Sequence, residues 1–233
     1  LLIDFLDYKK KENSDSTILI KGNFNKNRKI KFDLISLVEK SNKMEFKKLN
    51  LSEKYKIKSI ESFNFDYINN NKIKNQLVLK KNNKNYTIVG KNVDATKLIN
   101  QIMNNNDEDT SLSSDFNSQI KLKIEKTYIN EVDSINNLSG VLNFSDNKII
   151  DANLEATFNN NKKINLSIIT NDKQEKITRL FTDYPKPLIK RYDFIKGFEE
   201  GSLDYYSIKT NGISNSLMII DNFKVKKVPV FAK

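Results

Sequence analysis

The stretch IKLKIE at residues 120–125 alternates one aliphatic side chain with one charged side chain. Successive side chains of an extended strand point to opposite faces, so this stretch would place its aliphatic residues on one face and its charges on the other. The stretches DANLEATF at residues 151–158 and INLSI at residues 164–168 repeat the pattern. Three such stretches in succession predict antiparallel strands that share one apolar face.

Weaker alternation occurs elsewhere in the chain, with Asn-rich breaks between the alternating runs. Asn tolerates the left-handed backbone region and closes Asx turns, so each break predicts a hairpin turn. The pattern as a whole predicts an up-and-down meander. The weaker runs contain Ile18 and Ile20, Ile30, Phe32 and Leu34, Phe63, Phe65 and Tyr67, and Met218 and Ile220; the breaks are residues 25–27, 69–71, 82–83, 146–147 and 159–161.

Two segments depart from this period. Residues 94–103 carry Leu98, Ile99 and Ile102 at helical spacing behind Asp94, which suits an N-cap. We therefore expect a short helix there.

The second segment is residues 172–183, with apolar side chains at helical spacing before Pro185 and Pro187. Proline disfavours a helical conformation for the residue before it, so the pair predicts the end of that helix. A further helical turn is expected at residues 188–194. The apolar residues at helical spacing in the first part are Ile177, Leu180 and Phe181.

The expected architecture is mainly β: a curved antiparallel meander sheet that forms a groove, with two short helical segments. The polar stretch at residues 104–114 suggests an internal boundary loop. Residues 1–103 then form a β-rich segment that ends in a short helix, and residues 115–233 form a second β-sheet segment. The chain begins at Leu1 and stops in mid-pattern at Lys233, and we interpret it as a fragment.

Composition excludes several kinds of chemistry. The sequence has no His and no Cys, so imidazole bases, thiol nucleophiles, disulfides and zinc sites built from these residues are excluded. We predict no catalytic residue, no metal site and no cofactor. The net charge is +11, but only Arg28, Arg179 and Arg191 are arginines, the residues best suited to nucleic acid. The basicity is therefore interpreted as solvated surface, and no nucleic-acid partner is expected.

The order of motifs in the second half carries a resemblance to a known family. A glycine-containing strand, LSGVLNF at residues 138–144, precedes the alternating strands at residues 152–158 and 164–168, and Gly201-Ser-Leu203 and Gly212 follow. The stretch MIIDNFKV at residues 218–225 then leads to Val228-Pro229. This order resembles the C-terminal region of the large AsmA-like proteins, the YhdP branch in particular. Glu200 departs from it where a glycine would be usual, as do residues 184–187.

The resemblance implies a role in the cell envelope. Proteins of this kind are anchored in the bacterial inner membrane, extend through the periplasm as a long curved sheet, and are thought to carry phospholipids toward the outer membrane. The anchor would lie outside this fragment, since no stretch reaches the roughly 18 apolar residues of a membrane helix. Acyl chains would contact a groove lined by Ile120, Leu122, Ile124, Ala152, Leu154, Ala156, Phe158, Ile164, Leu166, Ile168, Met218 and Ile220.

Two other interpretations remain open at this point. The apolar faces could pack against each other as a closed core, in a structural or adhesive β-domain of an envelope protein. A basic nucleic-acid binder is the third, and it would show salt-sensitive binding. Alternation alone does not separate an open groove from a closed core.

Overall fold

Long β-strands make up most of the chain. The computed structural model describes residues 2–3, 6–24, 30–53, 57–97, 99, 117–145, 148–192 and 197–226. The elements with full bounds are β1 (Leu2–Ile3), β2 (Tyr8–Lys9), β3 (Thr17–Phe24), β4 (Ile30–Glu39), β5 (Asn42–Leu51), β6 (Ile57–Ser59), β7 (Ser62–Ile68), β8 (Lys74–Asn82), β9 (Asn85–Asp94), β10 (Ser118–Tyr128), β11 (Ser134–Ser145), β12 (Lys148–Phe158), β13 (Lys163–Thr170), β14 (Lys176–Thr182), α1 (Lys186–Tyr192), β15 (Phe198–Glu199), β16 (Ser202–Thr210), β17 (Ile213–Asp221) and β18 (Lys224–Val225).

Fourteen strands form one open sheet. Their order is β17-β16-β14-β13-β12-β11-β10-β9-β8-β7-β5-β4-β3, and β6 pairs with β5 beside this path. Two short ribbons, β1 with β2 and β15 with β18, lie outside the sheet. The expected class, a mainly β curved meander with little helix, is confirmed.

One parallel pair interrupts the meander. β9 and β10 run parallel, with Ile88 paired to Leu122, whereas the other neighbouring strands of the path are antiparallel. Parallel neighbours need a long crossover because a hairpin would reverse the chain, and residues 95–117 make that connection. The predicted boundary loop at residues 104–114 falls within this crossover and lies outside the described residues. The two halves of the chain thus meet at β9 and β10 and share one sheet.

Asparagine turns connect several strands as the sequence predicts. Asn83 and Asn161 adopt left-handed backbone angles, with φ of 55° and 60°, between β8 and β9 and between β12 and β13. In the turn between β7 and β8, the Asn69 side-chain oxygen accepts a hydrogen bond from the Ile73 amide at 2.9 Å. The turns predicted at residues 25–27 and 146–147 lie outside the described residues.

The first predicted helix begins where expected. The Asp94 carboxylate accepts a hydrogen bond from the Thr96 amide at 3.0 Å, which is the N-cap interaction. The Ile99 amide donates to the Ala95 carbonyl at 2.8 Å, which closes one helical turn. Residues 98 and 100–103 of this predicted helix lie outside the described residues.

The helix predicted at residues 172–183 is wrong. A turn at Asn171 is followed by strand β14, which pairs with β13 and β16 in regular register. The Asn171 side chain closes the turn by accepting hydrogen bonds from the amides of Lys173 and Glu175, both at 3.0 Å. Ile177 and Phe181 point to one face and Leu180 to the other, so the apparent helical spacing came from a strand with apolar residues on both faces.

Helix α1 confirms the predicted helical turn over residues 188–192 and begins two residues earlier; residues 193–194 lie outside the described residues. Pro185 and Pro187 stand at its start rather than after a helix, and the Pro185 carbonyl accepts from the amides of Leu188 and Ile189, each at 2.9 Å. The first turn of a helix tolerates proline because its amides have no partner within the helix. The prolines were therefore assigned to the wrong end of a helix.

Candidate functional site

An apolar row crosses the sheet from one edge strand to the other. Residues paired in register on neighbouring strands point to the same face, so the pairings trace the row strand by strand. Eleven of its thirteen positions are aliphatic or phenylalanine; the others are Gly140 and Tyr205. We call this the central row; its members are Ile20, Ile35, Phe46, Phe63, Leu79, Ile88, Leu122, Gly140, Leu154, Leu166, Leu180, Tyr205 and Met218.

All of the residues that the sequence predicted for the groove lie on the face of this row. On β10 they are Ile120, Leu122 and Ile124; on β12, Ala152, Leu154, Ala156 and Phe158; on β13, Ile164, Leu166 and Ile168; and on β17, Met218 and Ile220. The register brings the first three sets side by side, since Leu154 pairs with Leu166 and Ala152 with Ile168. We call this the inner face, and the concave surface that it forms the trough.

The prediction left out the first half of the chain. There the inner face continues through Leu37, Met44 and Phe65, all buried, and through Leu79 and Ile88. The alternation of Phe63, Phe65 and Tyr67 indicates the inner face on β7. On β5 the alternation of apolar residues is interrupted at Lys48. Its left-handed backbone, with φ of 46°, shifts the alternation by one residue.

In the described part of the chain, the sheets that pack on the trough are the two-stranded ribbons β1-β2 and β15-β18, and both lie at its margin. Its buried residues form clusters with neighbouring strands and with short segments at the margin. The central residues Leu122, Leu154 and Leu166 are only half-buried, whereas Lys121 and Lys123 on the opposite face are exposed. The inner face is thus more buried than the outer face, as expected for the concave side of a curved sheet.

The N-terminal segment covers one margin of the trough. Tyr8 is 1% exposed and packs with Leu37, Met44 and Phe65, and its ring meets that of Tyr67 edge to face at 5.9 Å. The Tyr67 hydroxyl donates to the Leu6 carbonyl at 2.9 Å. These contacts hold the N-terminal segment against the inner face at β4, β5 and β7.

A buried carboxylate fixes that segment in place. Glu39 is 2% exposed and accepts hydrogen bonds from the Tyr8 hydroxyl and, at 3.1 Å, from the Lys11 amide. The Tyr8 hydrogen bond, with help from other donors, lowers the pKa of Glu39 to about 2. Burial, together with the Glu39 charge, raises the pKa of Tyr8 to about 12. Glu39 is therefore ionised and Tyr8 protonated over the ordinary pH range.

The same margin is covered in the second half of the chain. The ring of Tyr184 meets that of Phe158 at 5.2 Å, and Ile99 packs on the same cluster. Further along, Ile189 of α1, 1% exposed, packs with Phe198 and Leu203. The trough is thus closed along one side by short segments. Its central row is half-buried at Leu122, Leu154 and Leu166, whereas Leu79 is buried and packs with Ile60.

The described residues were compared with the requirements of a metal site and of a membrane-spanning helix. They contain no group of three or more acidic residues placed to hold a metal ion. Within the same residues, no helix is both long enough and apolar enough to cross a bilayer. The inner face presents a long apolar surface, and the outer face carries exposed lysines on β10 and exposed apolar side chains near β17.

Comparisons with known proteins found no match to a family model, to a curated protein or to a solved structure. The resemblance to the AsmA-like proteins therefore remains a hypothesis that rests on the motifs quoted above.

Proposed function

We propose that this chain is a segment of a bridge-like envelope protein that conducts phospholipids along its trough. Acyl chains would lie on the inner face while head groups stay in water. The observation that carries the proposal is the central row, which is apolar across the sheet yet only half-buried at Leu122, Leu154 and Leu166. Apolar surface of this extent is costly to leave in water, and acyl chains would cover it.

The proposal extends to the setting that the family resemblance implies. The longer protein would be anchored in the inner membrane outside this fragment and would lie in the periplasm, with the outer membrane at its far end. Its action would be binding and conduction rather than catalysis, in line with the absence of His and Cys from the sequence. No nucleic-acid partner is proposed, because the lysines are distributed along the whole chain.

The alternative, a structural or adhesive domain with a closed core, differs in what covers the inner face. A closed core buries its aliphatic residues completely, and each large-to-small change there costs about 2 to 5 kcal/mol. The half-buried state of Leu154 favours the trough over that alternative.

Substituting Leu154 by Asp tests the choice. A carboxylate on the inner face would repel acyl chains because it has no hydration or partner among them. We expect the Leu154→Asp protein to stay folded and to lose lipid, measured by photocrosslinking to phospholipid and by mass spectrometry of co-purified lipid. Glu155→Lys is the matched control, since Glu155 is the exposed neighbour on the outer face.

The melting temperature separates the outcomes. A folded Leu154→Asp protein that crosslinks lipid as well as the control does would eliminate the trough. An unfolded one would favour the closed core.

A further inference from the structure

The inner face becomes polar at the last strands of the sheet. Beside the central row, the register links Ile168 on β13 to Thr178 on β14, Thr178 to Ser207 on β16, and Ser207 to Ser216 on β17. On the earlier strands the same row is apolar, with Leu142 paired to Ala152 and Ala152 to Ile168. Hydroxyls thus replace aliphatic side chains from β14 onward.

These hydroxyls lie within hydrogen-bonding distance of one another. The Ser207 and Ser214 oxygens are 3.0 Å apart, Ser216 donates to Ser207 at 2.9 Å, and the Tyr205 hydroxyl is 3.1 Å from the Ser216 oxygen. Ser207 is 5% exposed, whereas Ser214 and Ser216 are exposed. Each hydroxyl can rotate to donate or to accept, so the group can turn several donors toward an anion.

Two lysines lie in the next row of the same face. Lys176 on β14 pairs with Lys209 on β16, which in turn pairs with Ser214, and both lysines are half-buried. Like charges directly opposite each other on antiparallel strands are destabilising. Burial lowers the pKa of Lys176, and the charge of Lys148 lowers it further. This arrangement favours an anion close to Lys176.

Protein carboxylates do not supply that anion to Lys176. Among the described residues, none comes within 4.0 Å of its amine in an ion pair. Two acidic groups of the adjacent strands and turns are bonded elsewhere. Glu175 accepts from the Asn171 side chain at 2.8 Å, and Asp151 faces the Thr170 amide at 3.4 Å.

We propose that Lys176, Lys209 and the hydroxyls of Thr178, Ser207, Ser214 and Ser216 bind the phosphate group of a phospholipid head group. Ammonium and hydroxyl donors are the groups that satisfy phosphate oxygens. The position suits a lipid, because this patch adjoins Leu166 and Ile168 on the inner face, where the acyl chains would lie. The inference rests on the trough proposal for the source of the phosphate, and the experiment below separates the two.

The test compares ligands that differ in the phosphate or in the tails. Titration calorimetry on the full chain would use dihexanoyl phosphatidic acid, dihexanoylglycerol and glycerol 3-phosphate. The test variant is Lys176→Gln with Lys209→Gln. The matched control is Lys121→Gln with Lys123→Gln, which removes two exposed lysines from the outer face of β10.

We expect the unmodified protein to bind phosphatidic acid about tenfold more tightly than dihexanoylglycerol, the effect of one net charge-assisted hydrogen bond. The test variant should lose this preference and keep its affinity for dihexanoylglycerol, while the control keeps both. Lys176→Arg with Lys209→Arg should retain the preference. The melting temperature of each variant shows whether it remains folded, and the Arg variant keeps both positive charges.

An undiminished preference in the test variant would overturn the phosphate site. Equal affinities for glycerol 3-phosphate and phosphatidic acid, both lost in the test variant, would support a phosphate site but reject the lipid source. Failure of dihexanoylglycerol to bind any of the proteins would count against the trough. In that case, binding of glycerol 3-phosphate that is lost in the test variant would still support the phosphate site.

Discussion

At the scale of single residues, Gly140 occupies the one position of the central row without a side chain. Its φ is +143°, and a Cβ atom there would lie 1.9 Å from the Asn153 carbonyl oxygen. That oxygen belongs to the backbone of β12 and cannot rotate away. Glycine is therefore required for the pairing of β11 with β12, next to Leu122 and Leu154.

Gly140→Ala should lower the free energy of unfolding by at least about 2 kcal/mol, through backbone strain and a clash with β12. Gly212→Ala is the comparison: its φ is +81°, but nothing lies within 4 Å of the added Cβ. Urea unfolding of both proteins measures the difference. Equal losses would show that strain alone is responsible and that β12 yields to the methyl group.

Glu39 should make the N-terminal segment sensitive to acid. Its pKa is lowered to about 2 in the folded protein, against about 4.3 in an unfolded chain. The contribution of Glu39 to stability is then fully present above the unfolded pKa and is lost as the pH falls from about 4 toward 2.

Glu39→Gln should therefore show a smaller fall in melting temperature between pH 6 and pH 2.5 than the unmodified protein. Glu45→Gln is the control, because Glu45 forms ion pairs with the exposed Lys43 and Lys47 instead of a buried hydrogen bond. An identical acid dependence in the Glu39→Gln protein would mean that the Tyr8 contact does not link this carboxyl to folding.

Alternation fixes which residues share a face only where the backbone keeps its period. On β12 the period is regular over residues 152–158, and the predicted inner residues fall on one face. On β5 and β11, Lys48 and Asn137 take left-handed angles, with φ of 46° and 54°, and the period shifts. An Asn suits that conformation, but a Lys gives no such signal. The inner residues of β5 were therefore missed for a physical reason.

At the scale of elements, β14 shows the limit of periodicity. Ile177, Leu180 and Phe181 match a helical face, yet Thr178 and Thr182 have β-branched side chains that suit a strand. Both faces of β14 carry apolar groups: Leu180 pairs with Leu166 on the inner face, and Ile177 pairs with the exposed Ile169 on the outer face. Spacing alone does not distinguish a two-sided strand from an amphipathic helix.

Edge strand β17 should promote self-association. It exposes Ile213, Leu217 and Ile219 and has no Lys, Arg or Pro, and its pairing with β16 contains no bulge. Natural sheets usually protect an edge by one of these devices. β3, the opposite edge, has Lys21 and a register shift beside it.

Leu217→Lys should reduce association of the chain at high concentration, because a charge on the edge opposes pairing with another strand. Analytical ultracentrifugation of the two proteins measures the change. Val89→Lys is the control, since Val89 is half-exposed on the internal strand β9. If Val89→Lys lowers the association constant as much as Leu217→Lys does, general surface charge and not the edge governs association.

At the scale of the whole molecule, the feature that no local pattern predicts is the parallel pair β9 and β10. The alternating runs on either side predict two meanders, but not that the meanders join edge to edge. The pairing of Ile88 with Leu122 depends on the crossover and on tertiary contacts. The β9–β10 pairing makes the central row continuous from one half of the chain to the other. The length of the trough therefore depends on this one non-local strand pair.

Pairing between chain neighbours also bears on how the protein folds. On each side of β9 and β10, most strands meet the strands that come just before and just after them, so the entropy of closing each loop is small. The joint between β9 and β10 instead requires closure of the whole crossover. We expect each meander to grow by addition of one hairpin at a time and the joint to form in the slow step, since folding rates depend on the sequence separation of contacts. Unfolding would start at β3 and β17, where a strand has only one neighbour to lose.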